Sequence, residues 1–576
     1  VKETPKGRYW AAKVLRRGKP VREVVAEALP RIVQGMRFKK AMSWGAGFRF
    51  PRPVRWLLVL LDDEVVDVKL GNLRAGRRTR GHPLLSPGWL ELASARDYER
   101  ELERRGIVPS WERRRERLLE NLKVAAEPFE LVEDTELLEE VVGLLEHPAA
   151  VRGSFPERFL ELPQEVIVQA MKAHQRYFAL RKPNGSLAPG FVAGVDNEPN
   201  PEIVKGLERV LVARLEDAAF YFKEDLKKPL SAYRQDLKGV KWGPWTAFDK
   251  SERVKALAVK LAKAWGASAP VVSRAAELYL AELATSMIRD GKEFTALEGT
   301  VGKHYALRSG EPPAVALVIE EARLPKRLGD RLPQSLEGAT LAIADRLDTV
   351  LGAFATGYKL SPTKDPLGVR RAMYAVIEIA LEHGLGGNWD EFLAWAAEPF
   401  GGKGFEEARE LLRTRLENYL EEREGIRYDI VDACLVSPDI VDVAERARAL
   451  QRAFEEEPEV FQGVAVGQKR LANILEDEDY PEPRPELFSQ KPERELFAAA
   501  QRLKPQVEDA VARADYPGAV KLLLELKPFI DRYFDDVFVM VEDQELRENR
   551  LATLAFVRRL FLKLADFSKI VVEGGQ

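Results

Sequence analysis

The chain has 576 residues, of which 45% are hydrophobic and 31% are charged, with a formal net charge of −3 at pH 7. This length and composition predict three or four folded domains, and the small net charge limits any nucleic-acid contact to local basic patches. The single cysteine, Cys434, excludes a disulfide framework and a four-cysteine zinc site, and it fits a reducing, cytoplasmic compartment. No bilayer-length apolar run and no signal peptide are visible, so we expect no membrane contact.

Residues 1–240 combine strand and helix signals, so we expect a mixed α/β region of one or two subdomains. Periodicity and turn residues supply the boundaries of its elements. The predicted elements are a helix at 21–36, strands at 53–61 and 65–70 joined by a turn at 62–63, charge-dense helices within 94–125, a hairpin turn at Asn184-Gly185, and a helix at 208–222.

Residues 241–385 follow a composition change around Trp242 and predict a helical domain. The run from Ile343 to Thr349 resembles the last acidic motif of HD-type phosphohydrolase folds. That chemistry needs two histidines and two aspartates around a metal, including an adjacent His-Asp pair. None of the five histidines is followed by Asp, so we expect an HD-like helical scaffold without a metal site.

Residues 386–576 predict a helical linker followed by a helical domain, so the chain as a whole is expected to be multidomain and mainly α. Cys434 lies in an apolar run, which indicates a buried thiol. Lys469 and Arg470 suit contact with RNA phosphates or with solvent. The acidic, proline-rich run 476–485 predicts an exposed connection, and residues 490–533 predict two amphipathic helices.

The last helix is predicted from Gln544 to Ile570. Asp543 is a candidate N-cap, and Glu545 places an acid in the first turn. Leu554, Val557, Phe561 and Leu564 recur at helical spacing and predict the buried face. Arg550 lies on that face and therefore needs a partner, for which the nearest acids in sequence are Asp535, Asp536 and Asp543.

No catalytic or ATP-binding motif is visible. A P-loop is excluded because no Gly-Lys pair is followed by Ser or Thr, and neither ATP-binding signature of class I aminoacyl-tRNA synthetases occurs. His174 has no orienting acid or nucleophile at useful spacing, so we expect it to be structural. We predict no catalytic residue and no metal ligand in this chain.

A resemblance extends over most of the chain. The run from Asp543 to Leu551 resembles the signature of helical anticodon-binding domains in some aminoacyl-tRNA synthetases. Together with ordered runs from about residue 35 to 570, it resembles the bacterial glycyl-tRNA synthetase beta subunit family. The other runs include 40–45, 50–56, 79–82, 162–165, 171–178, 190–197, 293–299, 363–371, 427–434 and 468–475.

This resemblance implies a function divided between two subunits. In this family the alpha subunit holds the class II site for ATP and glycine, and the beta subunit recognises tRNA. The resemblance therefore implies ATP-dependent glycylation of tRNA(Gly) by an alpha2beta2 tetramer. It also implies that the alpha subunit uses ATP and Mg²⁺ and that this chain binds no cofactor. The family's N-terminal strand region is absent and residue 1 is Val, so we expect an N-terminally truncated chain.

The resemblance and the basic residues of the C-terminal region together predict the tRNA contacts. Arg550 is the member of this set that we most expect to be structural. The predicted contact residues are Arg547, Arg550, Arg558, Arg559, Lys469 and Arg470.

Two other interpretations remain open at this stage. One is an HD-type phosphohydrolase built around Asp345. The other is a non-catalytic RNA-binding or scaffold protein without a synthetase partner.

Overall fold

The computed structural model describes residues 2–4, 7–9, 18–45, 47–361, 364–475 and 480–571. Its contacts divide the chain into two compact units, Val1–Tyr221 and Phe222–Gln576. The boundary between these units lies between residues 221 and 222, and the predicted domains 1–240, 241–385 and 386–576 stay predictions. Thr363 and residues 476–479, which belong to two of the runs discussed above, lie outside the described residues.

Helices dominate the fold. They are α1 (Val21–Gly35), α2 (Tyr98–Glu103), α3 (Trp111–Ala126), α4 (Thr135–Val142), α5 (Gln164–Gln175), α6 (Pro201–Asp225), α7 (Ala247–Trp265), α8 (Ala269–Leu278), α9 (Ser286–Arg289), α10 (Thr300–Arg308), α11 (Pro313–Glu321), α12 (Leu336–Ala355), α13 (Val369–His383), α14 (Trp389–Ala397), α15 (Phe405–Glu422), α16 (Tyr428–Cys434), α17 (Ile440–Glu456), α18 (Pro458–Ile474), α19 (Lys491–Ala512), α20 (Tyr516–Leu524), α21 (Lys527–Asp536) and α22 (Gln544–Leu562). None of the described helices is both long and apolar enough to cross a lipid bilayer.

The described strands are short and lie mostly in the first unit. They are β1 (Lys2–Thr4), β2 (Gly7–Tyr9), β3 (Met42–Ser43), β4 (Arg49–Phe50), β5 (Leu57–Leu58), β6 (Leu60–Leu61), β7 (Glu64–Val65), β8 (Lys69–Leu70), β9 (Leu73–Gly76), β10 (Arg78–Arg80), β11 (Trp89–Glu91), β12 (Glu130–Leu131), β13 (Ala149–Ser154), β14 (Tyr177–Arg181), β15 (Leu187–Val195), β16 (Lys241–Trp242) and β17 (Trp245–Thr246).

The first unit is built around an antiparallel sheet in the order β12-β14-β15-β13. Leu118 of α3 and Val142 of α4 share one apolar core with Phe178 and Val192 of this sheet. The predicted hairpin is confirmed, because β14 and β15 pair on either side of Gly185, whose φ of 81° suits glycine. The predicted buried strand at 53–61 is instead the two half-buried strands β5 and β6.

The second unit contains a buried charge cluster between α7 and α12. The Lys250 ammonium is 0% exposed and lies 3.1 Å from an oxygen of Asp345 and 3.3 Å from one of Asp348. Arg253 donates two hydrogen bonds to Asp348, and Tyr279 donates one to Asp345. Burial would raise the pKa of Asp345, but the charges of Lys250 and Arg323 outweigh it and lower that pKa. The two aspartates of the 343–349 run are thus neutralised by protein cations.

The C-terminal region of the second unit is a helical bundle. Residues 490–533 form three helices rather than the predicted two, because Ala514 takes a left-handed φ of 56° after α19 and Asp515 caps α20. The last helix starts as predicted, with the Asp543 carboxylate accepting a hydrogen bond from the Leu546 amide at 3.0 Å. It ends at Leu562, earlier than predicted, while Cys434 is buried as expected.

Arg550 joins three separate segments of this bundle. Its side chain is 3% exposed and lies 2.7 Å from the carboxylate of Glu493, which is 1% exposed. It also donates to the Phe538 carbonyl at 2.7 Å and to the Ser489 hydroxyl at 3.1 Å. The expectation that this arginine needs a partner is confirmed, but the predicted partners Asp535, Asp536 and Asp543 are wrong. Glu493, 57 residues away, takes that role.

Replacing Lys250 should destabilise the second unit strongly. The Lys250→Met variant leaves the carboxylates of Asp345 and Asp348 with too little positive charge beside them, so we expect a loss of about 3–5 kcal/mol in the free energy of unfolding. Lys263→Met is the matched control, because Lys263 is an exposed lysine on the same helix. Chemical denaturation measures both variants, and equal stability would contradict the role assigned to the cluster.

Arg550 offers a parallel test in the C-terminal bundle. Arg550→Met leaves the Glu493 carboxylate buried and unpaired, so we expect a loss of about 3–5 kcal/mol in the free energy of unfolding. Arg547→Met, one turn away on α22 and half-buried, should change stability by only about 0.5 kcal/mol. If thermal denaturation finds the two variants equally stable, Arg550 is not the link described above.

Candidate nucleic-acid interface

The six cations predicted to contact RNA do not form one surface. Lys469 and Arg470 are exposed near the end of α18, and Arg547 is half-buried in the first part of α22. Arg558 and Arg559 follow 11 and 12 residues after Arg547, which corresponds to about 17–18 Å along the helix. The structure therefore separates the predicted contacts into one group of Lys469, Arg470 and Arg547, a second group of Arg558 and Arg559, and the buried Arg550.

Arg550 is the buried residue. Its hydrogen bonds to Glu493, Ser489 and the Phe538 carbonyl engage every guanidinium nitrogen inside the bundle. A guanidinium held in this way cannot reach a nucleic acid without breaking a buried ion pair. These contacts agree with the expectation that Arg550 is the most structural member of the set, and RNA contact by Arg550 stays a prediction that its burial disfavours.

Arg559 lies beside the segment that precedes α19. It donates to the Tyr480 carbonyl at 3.0 Å. Elsewhere on the same helix, Asn549 both donates to and accepts from the backbone of Arg484, at 3.0 and 2.7 Å. These bonds hold residues 480–484 along α22. The Nε of Arg558 is buried and has no hydrogen-bond partner among the described residues.

RNA contact by Arg558 and Arg559 stays a prediction. Because Arg559 also holds the 480–484 segment, reversing its charge would disturb local structure as well as any RNA contact. These two positions are therefore poor places for a first test.

An exposed aromatic residue lies where the sequence predictions identified none. Phe538 is 72% exposed and Met540 is 54% exposed, whereas Val537 and Val539 are buried. The Arg550 hydrogen bond fixes the Phe538 carbonyl, so the backbone is held while the ring faces solvent. The alternation of aliphatic and larger residues over 537–540 was the available signal for a two-faced segment.

We group six residues as a candidate basic–aromatic surface, because they lie on α18, on α21 and α22, which both pack against α18, and on the segment between α21 and α22. Its members are Lys469, Arg470, Phe534, Phe538, Met540 and Arg547. The Arg470 guanidinium lies 5.8 Å from the centre of the Phe534 ring, which links α18 to the end of α21. Exposed rings stack on unpaired bases, and arginine and lysine pair with phosphates, so this surface suits a single-stranded RNA loop.

A second group of aromatic and basic side chains lies on strands β10 and β11 of the first unit. The Arg78 and Arg80 guanidinium groups lie 5.0 and 4.6 Å from the centre of the Trp89 ring. Trp56 packs edge-on against Trp89 and donates to Thr79. Because both arginines already lie against Trp89, this group is less suited to stacking on bases than Phe538.

The described residues offer no candidate metal centre. No cluster of three or more His, Cys, Asp or Glu side chains in these ranges is placed to hold a metal ion. Lys250 occupies the space between Asp345 and Asp348, so a dication there would meet an ammonium group. The His174 side chain is exposed, so it does not take the expected structural role by packing, and a structural role by hydrogen bonding stays a prediction.

Comparison with known proteins assigns two parts of the chain to families. The family model described as glycyl-tRNA synthetase beta subunit matches residues 1–436, and the DALR anticodon binding domain matches residues 464–569. The second match contains the whole basic–aromatic surface.

Relatives match nearly the whole chain. The glycine–tRNA ligase beta subunit of Myxococcus xanthus is 39% identical, and the match covers 99% of this chain and 84% of that protein. Those of Desulforudis audaxviator and Moorella thermoacetica are 39% and 37% identical, covering 96% and 98% of this chain and 82% and 84% of theirs. The chain therefore belongs to the glycyl-tRNA synthetase beta subunit family.

Proposed function

We propose that this chain is the tRNA-recognition subunit of a glycine–tRNA ligase. It holds tRNA(Gly) while an alpha subunit forms glycyl adenylate from glycine and ATP with Mg²⁺, and then transfers glycine to the tRNA. The observation that carries this proposal is the beta-subunit match along nearly the whole chain, combined with a sequence that lacks ATP-binding motifs. The assembly we propose is an alpha2beta2 tetramer in the cytoplasm, where tRNA charging supplies protein synthesis.

The chain's contribution to the reaction is positional. Holding the tRNA on the protein converts the encounter of its 3′ end with the activated amino acid into a step within one complex, which removes much of the entropic cost. We assign the anticodon loop to the basic–aromatic surface. There Phe538 stacks on a base, while Lys469, Arg470 and Arg547 contact phosphates.

The middle of the chain, residues 241–385, is proposed to be an HD-like helical scaffold without metal chemistry. A phosphohydrolase of that type needs its aspartates free to ligate metal, whereas here Lys250 and Arg253 neutralise them. We therefore assign this domain a structural or ligand-binding role in the synthetase, without a role in metal-dependent catalysis.

Reconstitution with the alpha subunit tests the proposed function directly. We expect the purified chain alone to attach no radiolabelled glycine to tRNA, and the mixture with its alpha subunit to do so in the presence of ATP and Mg²⁺. The physical reason is that only the alpha subunit activates glycine, while only this chain holds the tRNA. Filter-bound aminoacyl-tRNA is the measurement.

The controls for that assay are alpha subunit without this chain, and the complete mixture without ATP. Glycylation by this chain alone would overturn the proposal. If this chain and the alpha subunit co-purify but the tRNA stays uncharged, the result would point instead to an RNA-binding scaffold.

Two substitutions distinguish stacking from phosphate binding on the basic–aromatic surface. Phe538→Ala should weaken tRNA(Gly) binding without changing its salt dependence, because one stacked base contributes about 1–3 kcal/mol. Arg547→Glu should weaken binding and also reduce the slope of log affinity against log salt by about 0.7–0.9 for each phosphate that the variant no longer neutralises. Fluorescence anisotropy over a series of salt concentrations measures both quantities.

Tyr428→Ala is the control for the aromatic substitution, because Tyr428 is 62% exposed but precedes the DALR match. Its affinity for tRNA should stay within about two-fold of the unchanged chain. If Phe538→Ala binds as tightly as Tyr428→Ala at every salt concentration, the stacking role of Phe538 is excluded.

A further inference from the structure

A cavity of about 800 Å³ lies in the second unit, away from the C-terminal bundle surface. It is bounded by α12, α13 and α15 together with the segment that follows α11. This volume falls in the range of sites for drug-sized and cofactor-sized ligands. Neither the family match nor the proposed tRNA contacts give it a role.

The lining carries an excess of positive charge. Eight of its side chains are arginine or lysine, and four are aspartate or glutamate. Arg323 pairs with Glu298, and Arg346 donates to backbone carbonyls including Leu324 at 2.6 Å and Ala342 at 2.9 Å. Burial lowers the pKa of Arg346 to about 10, and Asp345 opposes this shift. A ligand anion would relieve this concentration of charge.

Two of the arginines have donor groups without a protein acceptor. Arg371 is exposed in the first turn of α13 and forms no ion pair or hydrogen bond with another described residue. The Nε of Arg415, on α15, is buried and has no hydrogen-bond acceptor among the described residues. A buried guanidinium N–H without an acceptor is unfavourable, so the site lacks a hydrogen-bond acceptor that a ligand could supply.

The N-terminus of α13 does not provide the anion site by itself. The Asp365 carboxylate already accepts from the amides of Val369 and Arg370 at 2.9 and 3.1 Å. An added anion would therefore be held by side chains, and Arg371 and Arg415 have donors available for it.

The rest of the lining suits the remainder of a nucleotide. Tyr374, Ala375 and Leu367 supply an aromatic and apolar wall. The Glu378 side chain is 11% exposed, and its nearest cation, Arg423, lies 3.8 Å away. Burial raises the pKa of Glu378, with Arg423 opposing the shift. A carboxyl group in this position can accept hydrogen bonds from sugar hydroxyls.

From this arrangement, we propose that the cavity binds a free nucleoside phosphate, with its phosphates on Arg371 and Arg415 and its base against Tyr374. A phosphate of an RNA strand shares the same chemistry. The limited volume and the carboxylates of Glu378 and Glu422 in the lining favour a small ligand over a continuous polyanion. The proposal does not depend on the anticodon surface, because it involves different residues.

Titration calorimetry on the full chain, without an alpha subunit, tests the site. The probes are ATP, GTP, pyrophosphate and adenosine, each titrated separately up to about 5 mM, a weak-binding limit. We expect at least one of the two nucleotides to bind at one site per chain, pyrophosphate to bind more weakly than that nucleotide, and adenosine to bind weakest. Arg371→Glu and Arg415→Gln should each weaken nucleotide binding about ten-fold or more.

Lys263→Glu is the matched control, since it reverses an exposed charge in the same unit outside the cavity, and it should change affinity by less than about two-fold. Thermal denaturation of every variant identifies any loss of folding. Arg371 is exposed, so its variant remains informative if Arg415→Gln unfolds. Absence of nucleotide binding over the whole titration overturns the proposal, and so does binding that Arg371→Glu leaves unchanged. Binding of tRNA that depends on Arg371, without nucleotide binding, would assign the cavity to RNA and also overturn it.

Discussion

The ion pair between Arg550 and Glu493 is the contact on which the C-terminal bundle depends. It joins the last helix to the start of α19 and, through the Phe538 carbonyl, to the loop before α22. Desolvating two charges is costly, and it is offset only when their remaining donors and acceptors are satisfied. Here the second Glu493 oxygen accepts from the Gln490 amide at 2.6 Å, so both oxygens of the carboxylate have a hydrogen-bond donor.

This contact fixes the backbone that carries an exposed ring. The Phe538 side chain is largely exposed. Its backbone is nevertheless fixed, because Arg550 donates to its carbonyl and both neighbours, Val537 and Val539, are buried. A ring on a fixed backbone has only its side-chain rotation to lose when a base stacks on it, so more of the stacking energy appears as affinity. The buried Arg550 thus fixes the backbone of the exposed segment that we assign to RNA binding.

Local features of the sequence were sufficient where a single helix or turn decides the outcome. The Asp543 cap, the apolar face of α22 and the Asn184-Gly185 hairpin all follow from nearby residues. Contacts between distant segments were not accessible in this way. The spacing on α22 showed that Arg550 faces the core, but only the packing of α19 against it identifies Glu493. Helical spacing likewise missed Phe538, which lies outside any helix.

The two buried clusters, at Lys250 and at Arg550, place charged residues in the interior of both helical regions of the second unit. An apolar core would be at least as stable, but it would tolerate small shifts between helices that a hydrogen-bonded ion pair does not. A chain that handles a nucleic acid for chemistry performed by another subunit must convert binding into accurate position, since the reacting ends are useful only within a narrow range of distance. Geometrically specific buried charges suit that requirement, because they fix helix register at the cost of some stability.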